Sequence, residues 1–127
     1  MKKENYTIDC TGNVCVGDEI TFEKAEFEGS YPRATFSHME RRFLKVLKDS
    51  YGKDKQQHTF TCLDLETNMI VRIKGRNIYR NGCQRKLWEN EYDRLKALED
   101  KYTRGGKARS DRKERIESKF ENENNFL

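Results

Sequence analysis

Met69-Ile70-Val71-Arg72-Ile73-Lys74-Gly75-Arg76-Asn77-Ile78-Tyr79-Arg80 is the stretch in which a strand-forming pattern and a run of positive charge coincide. At a period of two, Met69, Val71, Ile73 and Tyr79 share one side, and Ile70, Arg72, Lys74, Arg76 and Arg80 share the other. A strand that turns its apolar groups inward turns these cations outward. Read so, the stretch is the last strand of a small sheet and its working face.

Working back toward the N-terminus, Glu66-Thr67-Asn68 is a short reversal, and the Thr-, Phe- and Leu-rich run His58 to Leu65 is a second strand. Phe43 to Lys48 supplies a third, turned back by residues 51–57, so that 43–80 forms a three-stranded meander. A rival reading places a helix over 38–50, because Ser37-His38-Met39-Glu40 has capping-box spacing and Met39, Phe43, Val46 and Leu47 share a helical stripe. Ile20 to Phe27 is a strand whose apolar parity changes between Phe22 and Ala25, which predicts a β-bulge near Glu23 and Lys24. Thr11-Gly12-Asn13 predicts a tight hairpin joining 6–10 to 14–16. Gly29 to Arg33, with the one proline of the chain, is a loop.

Working toward the C-terminus, Trp88, Tyr92, Leu95, Leu98 and Tyr102 recur at steps of four and three among good helix formers. They predict a helix over 84–103 whose apolar stripe covers an open side of the sheet. Gly105-Gly106 is expected to stop it. Lys107 to Phe120 has helix formers but few apolar anchors, and is expected to be frayed or ordered by a partner, with 121–127 flexible.

The fold class that follows is α+β: a small, strongly bent antiparallel sheet or half-open β-barrel of the SH3-like or OB-like kind, followed by one or two C-terminal α-helices. The expected division is one globular domain over 1–103, with its β part at 5–82 and the packed helix at 84–103, and a basic helical arm and tail over 104–127. The bulk composition agrees. The 127 residues suit one domain, and 34% apolar against 38% charged residues confines the core to part of the chain. Residues 1–67 carry 10 cations and 12 anions, whereas 68–127 carry 16 and 10, so the second part is the one suited to an anionic partner. No apolar run reaches the length of a membrane helix and no signal segment opens the chain, so the expectation is a cytoplasmic protein with no membrane partner.

Same-face cations on a strand lie roughly 6.5 to 7 Å apart, a spacing that suits successive backbone phosphates. Arg72, Lys74, Arg76, Arg80, Arg85 and Lys86 form such an array, with Tyr79 placed to stack on an unpaired base. Arg109 and Arg112 extend it along the arm. The opposing reading is that these cations solvate an outer face while Tyr79 fills the core, and that arm cations pair with Asp111, Glu114 and Glu117 at helical spacing.

Cys10 and Cys15 straddle a turn at zinc-knuckle spacing, but Cys62 and Cys83 stand alone. A zinc site therefore requires the fold to gather all four, and buried thiols are the alternative. No cofactor is expected. His38 and His58 are the only imidazoles, and no phosphate-binding glycine loop, nucleophile elbow or paired-histidine motif accompanies them. The expected function is non-catalytic binding of RNA or DNA through its backbone, with a small hydrolase or nuclease as a remote third reading. The alternative is a protein-binding inhibitor or accessory factor docking on a larger nucleic-acid-processing enzyme, with Tyr31, Phe36 and Tyr51 as interface anchors.

Overall fold

β3 (Thr35–Tyr51) is the backbone of the molecule. The computed structural model describes residues 3–51 and 58–124. Around β3 stand β1 (Ile8–Asp9), β2 (Glu19–Glu28), β4 (His58–Asp64), β5 (Ile70–Lys74) and β6 (Cys83–Arg85), in one antiparallel sheet ordered β1-β6-β2-β3-β4-β5. β1 and β5 are its two edges, so the sheet is open. A single helical turn, α1 (Gly75–Tyr79), follows β5, and the long α2 (Glu91–Asn124) follows β6.

The meander β3-β4-β5 forms as its sequence predicts, and residues 38–50 are strand. The capping-box pattern loses to burial: as a strand the segment turns Leu44 and Val46 into the core opposite Asp64 and Cys62. The reversal between β4 and β5 is closed by Asn68, whose φ of 61° is the left-handed conformation asparagine tolerates, and by Asp64 Oδ1 accepting from the backbone of Glu66 and Thr67. Most of the turn expected between β3 and β4, residues 52–57, lies outside the described residues.

Four expectations are corrected. The opening stretch is a strand only as far as Lys74; at Gly75, which fits against Phe60 and Tyr79, the chain coils into α1 and seats Ile78 in the core. Met69 falls in the turn and is exposed. The extra residue opposite β2 sits on β3, where Ser37 is skipped between His38↔Glu26 and Phe36↔Phe27, and β2 runs unbroken through Glu23 and Lys24. Lastly, the segment after Thr11-Gly12-Asn13 does not pair locally. β1 takes β6 as its partner instead, with Ile8 opposite Arg85, because that pairing lets Cys10, Val14 and Cys83 close one side of the core.

The core comprises Cys10, Val14, Ile20, Phe22, Leu44, Val46, Phe60, Cys62, Ile78 and Cys83, with Val71, Ile73 and Tyr79 packed against it. It draws alternate residues from every long strand, and burial of each large side chain contributes on the order of 1.5 to 3 kcal/mol. On the opposite face Tyr6 covers Phe43 at 5.3 Å between ring centroids.

α2 departs most from expectation. It begins at Glu91, where the Asn90 side chain caps the backbone N–H of Tyr92, and it runs through Gly105-Gly106 to Asn124. The face it turns to the sheet is not the apolar stripe. Arg94, Lys101 and Gly105 are buried, while Leu95 and Tyr102, each one position beyond a buried cation, are exposed, as is Tyr92. One residue is about 100° of helix, so the docked face is rotated by that much from the apolar one. The reason lies in the loop at 13–18. Asp18 is fully buried there and takes bonds from Arg94 Nε and Trp88 Nε1, each at 2.8 Å, while the Val14 carbonyl accepts from Lys101 Nζ at 2.6 Å. A buried carboxylate left without such donors would cost far more than an exposed leucine. Gly105 lies on the docked face, and its lack of a side chain is consistent with close approach there rather than with a helix stop.

Candidate nucleic-acid interface

The cations of β5 stand on the face the alternation predicts: Arg72 and Lys74 are exposed, and Val71 and Ile73 turn inward. Opposite Arg72, across Thr61 of β4, stands Lys48; opposite Lys74, across Thr59, stands Ser50. Lys45 lies in the next row, across Leu63 from Ile70. Lys45, Lys48, Arg72 and Lys74 thus share the outer face of β3-β4-β5, away from the core, and Lys45 also lines a hollow with Trp88 and Asp93 at the start of α2. Lys48 and Arg72 are two strand spacings apart, about 9.5 Å. None of the four forms an ion pair among the described residues.

Lys45 and Lys48 are exposed cations of this face that sequence reasoning missed. Three positions apart, they should point to opposite faces of a strand. They share one because β3 carries a second irregularity: Val46 pairs with Cys62 and Lys48 with Thr61, so Leu47 is an extra residue that resets the parity. No signal in the local pattern marks it.

Lys74, Arg76 and Tyr79 come together with His58 and Gly75 around a hollow of about 150 Å³ at the junction of β5 and α1. The Tyr79 ring lines the hollow and packs edge-on to Phe60 at 6.4 Å, and its hydroxyl accepts from the Val14 backbone N–H at 3.1 Å. Burial pushes the Tyr79 phenol well above its ordinary value. His58 lies over the Phe60 ring and places Nε2 3.3 Å from Asp49 Oδ2. Asp49 is buried and also binds Arg104 of α2. Burial alone would raise the Asp49 carboxyl, but the bonds from His58 and Arg104 outweigh it and hold it at about 2. This pair brings the stretch of α2 that begins at Arg104 to the corner beside the hollow.

Arg80 is exposed at the end of α1 and lines a separate groove with Lys24 and Asn77. Arg85 and Lys86 are committed elsewhere. Arg85 is buried and gives two hydrogen bonds to Glu91, at 2.7 and 3.0 Å, which hold the Glu91 carboxyl at about 2. Lys86 pairs with Glu19 at 3.2 Å and lies over the Tyr6 ring. Arg109 and Arg112 are on α2, and their side chains are not among the described ones.

The four cysteines are all buried thiols. The fold brings Cys10 and Cys83 together, sulfur to sulfur 3.3 Å, but Cys15 bonds to Asp18 and Cys62 is deep in the core. Burial pushes the Cys15 and Cys62 thiols up to about 12. Among the described residues no group of three or more His, Cys, Asp or Glu is placed to hold a metal ion. Nor is any helix among the described residues long and apolar enough to cross a membrane.

The chain is 35% identical over 132 residues to the zinc finger CCCH domain-containing protein 62 of Oryza sativa subsp. japonica, a match covering 94% of this chain and 19% of that relative. It thus corresponds to a small part of a much longer protein. No solved structure matches it significantly. A family model described as "Domain of unknown function (DUF7699)" matches residues 15–88, from the loop that carries Asp18 to the tryptophan that caps it, and the chain belongs to that family.

Proposed function

We propose that the domain is a non-catalytic nucleic-acid-binding module that takes the RNA or DNA backbone on the outer face of β3-β4-β5. The observation that carries this reading is the group of four exposed cations, Lys45, Lys48, Arg72 and Lys74, none of which forms an ion pair among the described residues, although Glu19 stands across the strand pair from Lys45. Thr61 stands between Lys48 and Arg72, Thr59 stands beside Lys74, and both can donate to phosphate oxygens. The hollow beyond Lys74 has an aromatic wall in Tyr79 and a second cation in Arg76, which suits an unpaired base with its phosphate outside. In this reading the bent sheet works as SH3-like and OB-like barrels do, on a face rather than in an interior. The basic part of α2 adds a second, weaker contact.

The test is a Lys48→Glu/Arg72→Glu/Lys74→Glu variant titrated against mixed-sequence single-stranded RNA and duplex DNA by fluorescence anisotropy. The expected result is a loss of more than about tenfold, with Lys24→Glu unchanged, since each reversed contact removes a phosphate interaction and adds a repulsion. Equal affinity of the triple variant and the parent sinks the reading.

A second reading, a protein-docking accessory module, draws on one observation. Phe27, Tyr31 and Phe36 are exposed on a hairpin that projects from the sheet, and Tyr31 is 94% exposed. Exposed aromatics of this kind are common interface anchors. The side chain of Tyr51, the third expected anchor, lies outside the described residues.

A further inference from the structure

Beyond Phe22 and Arg42 the β2-β3 hairpin leaves the sheet. On one side β6 ends with Cys83 opposite Phe22; on the other, β4 ends with Asp64 opposite Leu44. From Glu23 to Glu28 and from Thr35 to Arg41 the hairpin is a ribbon of two strands only. Two-stranded ribbons are marginal in water, and a third strand is what makes them stable. This one also holds Phe27 directly opposite Phe36, rings 6.2 Å apart and near perpendicular, 60% and 59% exposed.

The two edges of the ribbon differ. Along the β2 edge runs a groove of about 370 Å³, lined by Lys24, Ala25, Glu26 and Phe27 on one wall and Asn77, Arg80 and Asn81 on the other. It continues the line that β6 occupies further down. Glu19 points its carbonyl to this side, where it accepts from the Lys86 backbone, and Glu23 points its carbonyl here too. By the same alternation the N–H and C=O of Ala25 and Phe27 face the groove, and none of these groups meets a partner among the described residues. The Glu23 carbonyl is bonded instead to the Asn81 side-chain amide at 3.1 Å, a peptide-like group standing where the next rung of the ladder belongs. Lys24 and Arg80 form no ion pair among the described residues, so the groove has two free cations against the one carboxylate of Glu26.

We propose that the open edge of β2 at Ala25 to Phe27 is a docking site for an extended peptide segment of a partner protein, added as a strand in line with β6. This rests on the protein-docking reading and gives it a definite place. The main-chain groups of Ala25 and Phe27 supply the pairing. Phe27 takes an apolar side chain of the incoming strand, and Lys24 and Arg80 select a carboxylate beside it. The partner segment is therefore extended, with apolar and acidic residues alternating.

A library of random linear dodecapeptides displayed on phage, panned against the immobilised full chain, tests this. Enriched peptides are expected to combine apolar and acidic residues at alternate positions. Synthetic copies should lose at least about tenfold in affinity for Ala25→Pro, which removes the N–H that faces the groove and obstructs an added strand. The β2-β3 ladder does not use that N–H, and an unchanged melting temperature checks that the variant folds. Arg80→Glu, which lies outside the sheet, should weaken the same peptides, and Arg72→Glu should not. Peptides that bind Ala25→Pro and Arg80→Glu as well as the parent overturn the β2 site while leaving protein docking to another surface. A library that yields no enriched peptide overturns both.

Discussion

Asp18 is the residue on which the placement of α2 depends. Its carboxylate takes bonds from Trp88, from two nitrogens of Arg94 and from the Cys15 backbone N–H. Gly17 beside it has a φ of +100°, and a Cβ there would stand 2.6 Å from the Trp88 ring, so only glycine lets the indole reach its acceptor. Asp18→Asn keeps the shape but leaves the Arg94 charge buried without its counter-charge. Breaking a buried pair in this way costs about 3 to 5 kcal/mol. Urea denaturation should show that loss, and Trp88 fluorescence should shift to the red as the indole leaves its seat. An unchanged midpoint would mean that α2 is held by something other than this carboxylate.

At the scale of the element, α2 is tied down by long cationic side chains: Arg94 to Asp18, Lys101 to the Val14 carbonyl, Arg104 to Asp49, with Arg85 holding Glu91 at the start. This sets its pH response. Hydrogen bonds from Arg85 hold Glu91 at about 2 instead of 4.5; His58 and Arg104, against the opposing effect of burial, hold Asp49 at about 2 instead of 3.8. Each carboxylate has a lower value folded than unfolded, so on acidification the unfolded chain binds the proton first. The stability they contribute is complete above about pH 5 and is lost as the pH falls through about 2. Denaturation midpoints at pH 7, 4 and 2.5 should fall in that order, and Arg104→Ala should shrink the change by removing one of the two partners of Asp49. These ties also mark how far the sequence could be read. The existence of the helix was legible from Tyr92, Leu95, Leu98 and Tyr102. Its orientation was not, because a periodicity argument ranks Arg94 and Lys101 as surface residues, and the acceptors that draw them inward lie 76 and 87 positions away in the chain. The meander β3-β4-β5 was legible because its turns are local, and the β1-β6 pair was not, because Ile8 and Arg85 meet across most of the chain.

At the scale of the whole molecule, charge is divided by face. The cations that the sequence singles out include those that hold the fold together, Arg85 and Lys86, and those that form no ion pair among the described residues, Arg72, Lys74, Arg76 and Arg80. Lys45 and Lys48 share one face only because of the extra residue at Leu47, which is why the sequence understated the charge of this face. The division has a measurable consequence. If the four cations of the outer face each neutralise one phosphate of a single strand, log K falls against log salt with a slope of about −2.8, at about −0.7 per contact. Lys48→Gln or Arg72→Gln should each make that slope shallower by about 0.7, whereas Lys86→Gln should leave it unchanged and lower stability slightly by freeing Glu19. Binding that depends on salt to the same degree in the parent and in both outer-face variants would place the phosphate contacts elsewhere on the molecule, with the basic part of α2 as the next surface to substitute.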